Sequence, residues 1–455
     1  MSYNYQLYSQ GNIAYYALVC IFSLISVYVS VSIGAINPAF GIVFSLFFVT
    51  CLIVADIRPM ILCFLVFVLL FKNISISLAI GFVESKQNFR LLLGIDFIIW
   101  FVCVLLVVIK FRLLRTFDKK LFYLLFTLLI YFLYGVLKNG PIASATYLRT
   151  LSMPLIMFLV TSQLSSRNNY DFLGFLIKFI VVFTGLTLLF EVFFTYEYYG
   201  VFNVGEFFTF KSSDRIYTNS EMIENNIRNL FNYFSIYQIY RPLGISQQPI
   251  SIGYIFAIGG CFLFSRRNYF ISAFCLLCIL FLGSKGPLIL MVCSIFFYVF
   301  KFSEKSVFVS LSLLLVVIIY MGVNNYDPHV YSVISTVIKL PSNIIGGGLG
   351  FGGVITTGTD YGTDFESVSG DSGFAVALNM MGVVGIAFFF GIYKFFMSIA
   401  LKISEFDGRN KVLYYGICCL IVTGVIQEEA LSAYSIGFFA VVLGVLYGSI
   451  PRARS

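Results

Sequence analysis

The chain has 455 residues, of which 60% are hydrophobic, 18% aromatic and only 11% charged, with a formal net charge of +8. A soluble domain carries about 25% charged residues, so this composition excludes a soluble globular enzyme and indicates a polytopic membrane protein. The basic excess is no sign of nucleic acid, because it follows the short segments between apolar runs.

The start, Met1-Ser-Tyr-Asn-Tyr-Gln-Leu-Tyr8, lacks a basic leader, so the first apolar helix is expected to stay in the protein. A bilayer core takes about 20 apolar residues per helix. That rule predicts an all-α helix bundle of about fourteen spans (twelve to fourteen), one membrane domain over 1–455. They fall at roughly 12–32, 36–55, 59–82, 92–110, 119–137, 146–164, 171–195, 249–265, 268–284, 286–302, 306–323, 371–400, 411–427 and 431–449. All ten cysteines lie in apolar runs, so no disulfide framework is expected.

Short loops on one side carry seventeen Lys/Arg, from Arg58 to Arg454, against Lys86, Arg90, Lys138 and Lys285 on the other. By the positive-inside rule both termini are cytoplasmic. Two long loops, 196–248 and 324–370, then lie outside. Asp96, Arg149 and Glu191, with Lys72, fall in the outer halves of their spans. Intramembrane charges are costly and usually face a bundle interior or aqueous cavity. Their shared depth suggests a polar cavity opening outward; snorkelling at the interface is the alternative reading.

The first long loop carries Lys211, Arg215, Arg228 and Arg241, and ends in Arg241-Pro-Leu-Gly-Ile-Ser-Gln-Gln-Pro249. A permanently charged, five-donor guanidinium where the chain re-enters lipid suits an anion at the bilayer surface. Lys285, in Leu282-Gly-Ser-Lys-Gly-Pro287, is either a solvated hairpin lysine or a second cation at the depth of Arg241. The second loop holds nine glycines, including Gly348 and Gly350 in Ile344-Ile-Gly-Gly-Gly-Leu-Gly-Phe-Gly-Gly353, then Glu366 and Asp371-Ser372. This run lacks the Lys-Ser/Thr of a nucleotide loop. It serves close backbone packing or lines a substrate site. Asp371 is a helix cap, an acid aimed at the outer cavity, or both. His329 beside Asp327, with scattered acids, forms no metal constellation, so no metal or cofactor is expected.

Many spans, cytoplasmic ends and two large outer loops combine with Arg-x-x-Gly-x-x-x-x-Pro at Arg241–Pro249, Ser284-Lys285-Gly286, and Asp371-Ser372 before Gly382-Val-Val-Gly385. In these features the chain resembles the Wzy-type O-antigen polymerases and the related O-antigen ligases. The resemblance spans most of the chain by architecture and about thirty residues by motif. It departs at Lys285, where arginine is common, and at Asp371-Ser372, where ligases place a histidine, which favours the polymerase.

The resemblance implies a metal-independent glycosyltransferase of a bacterial cytoplasmic membrane. Its members move a growing glycan from undecaprenyl pyrophosphate onto a new lipid-linked repeat unit, giving O-antigen or capsular polysaccharide. The expected partners are the lipid-linked donor and acceptor, the bilayer and a chain-length regulator, with no nucleic acid. Arg241 and Lys285 are expected to stabilise the pyrophosphate leaving group, with Asp371 or Glu366 as general base to the acceptor hydroxyl. Arg149, Arg215, Arg228, Glu366, Gly348 and Gly350 are expected to contact substrate. An O-antigen ligase and a flippase for lipid-linked repeat units are the alternatives; the gathering of cations at one surface disfavours the flippase.

Overall fold

Proline or a short polar side chain marks many of the helix starts. A computed structural model describes residues 3–110, 119–165, 169–212, 215–229, 238–352 and 372–450. The first half contains α1 (Tyr3–Ile36), α2 (Pro38–Val54), α3 (Arg58–Ala79), α4 (Lys86–Leu93), α5 (Ile95–Leu105), α6 (Lys119–Asn139), α7 (Pro141–Leu164) and α8 (Asn169–Phe193). Short helices follow: α9 (Thr195–Val201), α10 (Val204–Lys211) and α11 (Asn219–Asn225). Then come the strands β1 (Ile227–Asn229) and β2 (Gln238–Tyr240), paired antiparallel with Ile227 opposite Tyr240. The second half contains α12 (Pro249–Ser265), α13 (Tyr269–Leu282), α14 (Lys285–Val299), α15 (Glu304–Asn324), α16 (Pro328–Lys339), α17 (Gly373–Met381), α18 (Val383–Phe406), α19 (Lys411–Ile426) and α20 (Ile436–Ser449). Proline stands in the first turn of α2, α3, α7, α12 and α16, where its missing N–H costs nothing.

Among the described residues, ten helices are long and apolar enough to cross a membrane. Shorter apolar helices, α2, α12, α13 and α14, stand where the sequence predicts four further spans. Large apolar side chains cover the exterior, with Leu137 86% and Phe270 87% exposed. An apolar exterior on this scale belongs in hydrocarbon.

Helix α3 is buried along nearly its whole length, and α12, α19 and α20 share the interior with it. Close helix approach in lipid depends on small residues. Between α20 and α7, a Cβ at Gly448 would lie 2.2 Å from the Ser162 carbonyl oxygen. Ser165 Oγ donates to the Val445 carbonyl at 2.8 Å. These contacts lock two helices far apart in sequence.

One predicted span needs correction. The run 371–400 is two helices, α17 and α18, divided at Gly382, whose φ is +58°. A Cβ at Gly382 would stand 1.9 Å from the Ile344 carbonyl oxygen, and the N–H of Val383 bonds that oxygen at 2.9 Å. The break admits the backbone of the preceding loop. The described parts of the polar segments carry regular structure: α9 to α11, β1 and β2 in the first and α16 in the second.

The described parts of both segments pack at one end of the bundle. Asn73, late in α3, donates to the Ser246 carbonyl at 2.7 Å, and Lys86 to that of Ser212 at 3.2 Å. Asn139, ending α6, donates to the Gly347 carbonyl at 2.9 Å and lies 3.1 Å from that of Leu349.

Candidate functional site

The site is built outward from Glu191, at the end of α8. Its buried carboxylate accepts from the Tyr240 hydroxyl at 2.5 Å, the Leu243 N–H at 2.7 Å and the Gly244 N–H at 2.6 Å. A buried carboxylate needs such donors to offset its lost hydration. Tyr198 donates to the Gly244 carbonyl at 3.1 Å, and Asn226 to the Tyr199 hydroxyl at 3.2 Å. Burial first, then the Glu191 carboxylate, pushes the Tyr199 and Tyr240 phenols up, so both remain neutral. The result is a fixed Tyr240–Gly244 segment.

Arg241 lies in that segment. Its backbone N–H donates to the Asn226 carbonyl at 2.8 Å. Its Nε donates to the Leu282 carbonyl at 2.9 Å, and one terminal nitrogen lies 3.4 Å from Ser284 Oγ. The hairpin between α13 and α14 turns at Gly283, with φ +57°. Lys285 follows, and its electrostatic neighbours are Asp327 and Arg241. Arg241 and Lys285 thus stand close enough for their charges to interact.

A third element meets this hairpin. A Cβ at Gly286 would lie 2.2 Å from Gln427 Oε1, which accepts from the Tyr254 hydroxyl at 3.0 Å. Gln427, Glu428 and Glu429 open the turn that leads from α19 to α20. Glu428 is buried and accepts from the Tyr147 hydroxyl at 2.8 Å. Sequence reasoning passes over this turn, although two adjacent acids between the last two spans are the signal that would have found it. Ser372 caps α17 through the Ala375 N–H at 3.1 Å and donates to the Val425 carbonyl at 2.5 Å. The start of α17 therefore abuts the same turn. Asp371 and Glu366 lie outside the described residues.

Arg149 belongs to a different cluster. Lys72 Nζ stands 2.5 Å and Arg149 3.4 Å from the same Asp96 oxygen. Lys72 also donates to the Leu93 carbonyl at 3.2 Å, and the Arg149 guanidinium lies 4.5 Å from the Phe97 ring centre. The shared depth of these residues reflects mutual pairing across α3, α5 and α7. Two cations on one carboxylate leave the cluster net positive.

The remaining expected contacts divide as follows. Arg215 is exposed, with its guanidinium 4.9 Å from the Tyr217 ring centre. Arg228 places its backbone in β1 opposite Ile239, and its side chain lies outside the described residues. At Gly348 and Gly350, with φ +86° and +90°, a Cβ would lie 2.6 Å from Gly135 Cα and 2.9 Å from Ala143 Cβ. Packing against α6 and α7 accounts for both glycines without a ligand.

The geometry provides a fixed guanidinium and an ammonium at a helix start, beside a turn with two carboxyl groups. It suits holding an anionic group while a neighbouring hydroxyl is oriented. Comparisons with protein families, with curated proteins and with solved structures find no match.

Proposed function

We propose that the chain polymerises undecaprenyl-pyrophosphate-linked oligosaccharide units at the outer face of a bacterial cytoplasmic membrane. In this reading it has fourteen crossings and both termini in the cytoplasm. The growing glycan passes from its pyrophosphate carrier to the non-reducing end of a new lipid-linked unit. The observation that carries the reading is the anchoring of Arg241 to the hairpin that presents Lys285.

As the glycosidic bond breaks, negative charge grows on the departing pyrophosphate. Preorganised donors at that position lower the barrier, and removing one such group typically costs about 2.7–4 kcal/mol. Arg241 and Lys285 take that role. The acceptor hydroxyl needs orientation and a proton acceptor; Asp371 keeps the part assigned from the sequence, and the Gln427–Glu429 turn offers a second carboxylate source. Arg149, paired with Asp96, supports the walls of the site in this reading.

The test is the glycan profile of a strain lacking the gene. Single repeat units on the final acceptor, without a ladder, support polymerisation. Full-length polymer left on undecaprenyl pyrophosphate indicates ligation, and repeat units confined to the cytoplasmic face indicate flipping; either result overturns the proposal.

A further inference from the structure

The opposite end of the bundle carries a separate cavity. It has a volume of about 420 Å³ and is lined by Tyr298, Val299, Lys301, Gly408, Lys411 and Tyr415. Helix α14 separates it from Lys285: a helix rises about 1.5 Å per residue, so the cavity lies roughly 20 Å from the Arg241 hairpin. The turn after α14 supplies Lys301, the 3-10 turn Gly408–Asn410 supplies Gly408, and Lys411 begins α19.

Charge at this cavity is unbalanced. The nearby acid Asp407 is engaged by Arg409 at 3.0 Å and by Arg266 at 3.9 Å. Glu304 begins α15, three residues after Lys301. Among the described residues neither Lys301 nor Lys411 has a carboxylate within 4.0 Å. The walls are held in place: Tyr415 donates to the Phe302 carbonyl at 2.8 Å, and the Lys411 ammonium lies 5.7 Å from the Tyr415 ring centre. The N-terminal end of the 16-residue α19 adds the positive pole of its dipole.

Val299, which lines the cavity, belongs to an exposed apolar face of α14. Val292, Phe296 and Val299 are 46%, 46% and 53% exposed. Their spacing of four and then three residues puts them on one face of α14. A soluble phosphate has no use for that face, whereas an acyl chain does.

We propose that this cavity binds the phosphate headgroup of an anionic phospholipid, with Lys301 and Lys411 on the phosphate and an acyl chain along Val299, Phe296 and Val292. The inference is independent of the glycan chemistry at the other end. Basic pockets between membrane helices suit such headgroups, and each basic residue contributes about 1 kcal/mol.

The test uses the purified full-length chain in detergent, with phosphatidylglycerol, phosphatidylcholine and inorganic phosphate as separate probes, bound lipid being read by native mass spectrometry. Phosphatidylglycerol is expected to bind, and the pair Lys301→Gln with Lys411→Gln is expected to weaken it about thirtyfold, from the 1 kcal/mol per lysine. The charge-retaining pair Lys301→Arg with Lys411→Arg should keep binding within a fewfold, separating loss of the site from loss of the fold. Equal binding of phosphatidylcholine, or unchanged binding in the glutamine pair, overturns the proposal. Displacement of the lipid by millimolar inorganic phosphate also overturns it, since the site would then belong to a free anion.

Discussion

The Arg241 Nε donates to the Leu282 carbonyl oxygen at 2.9 Å, across forty-one residues of sequence. That bond fixes the guanidinium on a hairpin belonging to two other helices. The side chain therefore couples three parts of the bundle at the place where anion chemistry is proposed.

Replacing Arg241 by alanine is expected to lower polymer formation by about 100- to 1000-fold, the usual loss for one charge stabiliser. Arg241→Lys keeps the charge but loses the fork that reaches Leu282 and Ser284, so intermediate activity is expected. Ladder length on gels, normalised to membrane protein level, reads both. A full ladder in Arg241→Ala would remove this residue from the chemistry.

Glu191 acts on position. Glu191→Ala strands the Leu243 and Gly244 N–H groups, while the Tyr240 hydroxyl keeps the Tyr199 hydroxyl at 3.1 Å. Each buried orphan costs about 1–3 kcal/mol, so a loss of about 2 kcal/mol or more is expected in detergent unfolding. Glu191→Gln retains one acceptor oxygen and should be milder. Protease cleavage between residues 196 and 248 should rise in the alanine variant and stay low in the wild type; identical cleavage would contradict the clamp.

The Lys72–Asp96–Arg149 cluster predicts non-additive behaviour. Asp96→Asn leaves buried Lys72 and partly buried Arg149 without their counter-charge, and breaking a buried pair typically costs about 3–5 kcal/mol. Combining it with Lys72→Met should recover part of that loss, because one uncompensated cation goes too. A double variant as unstable as the sum of the single ones would show that the pairing has little energetic weight.

Gly348 tests the packing role of the glycine run. Alanine there meets Gly135 Cα at 2.6 Å and needs a left-handed φ of +86°. Gly81 has open space around its Cα and an ordinary φ, and serves as the control. Gly348→Ala should lower the unfolding temperature and Gly81→Ala should not. Equal temperatures for both would argue that the loop seats loosely on α6.

Orientation is tested by cysteine labelling in a cysteine-free background. Ile216 is 78% exposed beside α11, so Ile216→Cys should react with an impermeant maleimide added outside the cells. Lys305→Cys, at the other end, should react only after lysis. The reverse pattern would invert the topology and detach the proposed site from the outer face.

Much of the architecture is readable from apolar run length, because hydrocarbon thickness constrains it. The sequence places Arg241 and Lys285 at one depth but does not disclose the bond of Arg241 to the Leu282 carbonyl. What escapes is partnership between helices. The depth of Asp96 and Arg149 is legible, but their shared contact with Lys72 depends on how α3, α5 and α7 pack. Glu191 reads as a charge facing a cavity, whereas its three donors make it a clamp. Gly348 and Gly350 read equally as site or spacer until Gly135 and Ala143 are seen opposite them. The Gln427–Glu429 turn is hidden because a three-residue gap between spans looks like mere connection.

The pairing of α7 with α20 bears on biogenesis. Ser165 and its partner Val445 are 280 residues apart, and ribosomes add about 5–20 residues per second. For roughly 15–60 s of synthesis, α7 is inserted while the helix that closes it has yet to be made. During that interval Thr161 and Ser162 lack Gly444 and Gly448, which later close against them, and lipid or an insertion chaperone covers that face. A ribosome stalled before residue 436 would leave this seam open, making such truncated chains early targets for membrane quality control.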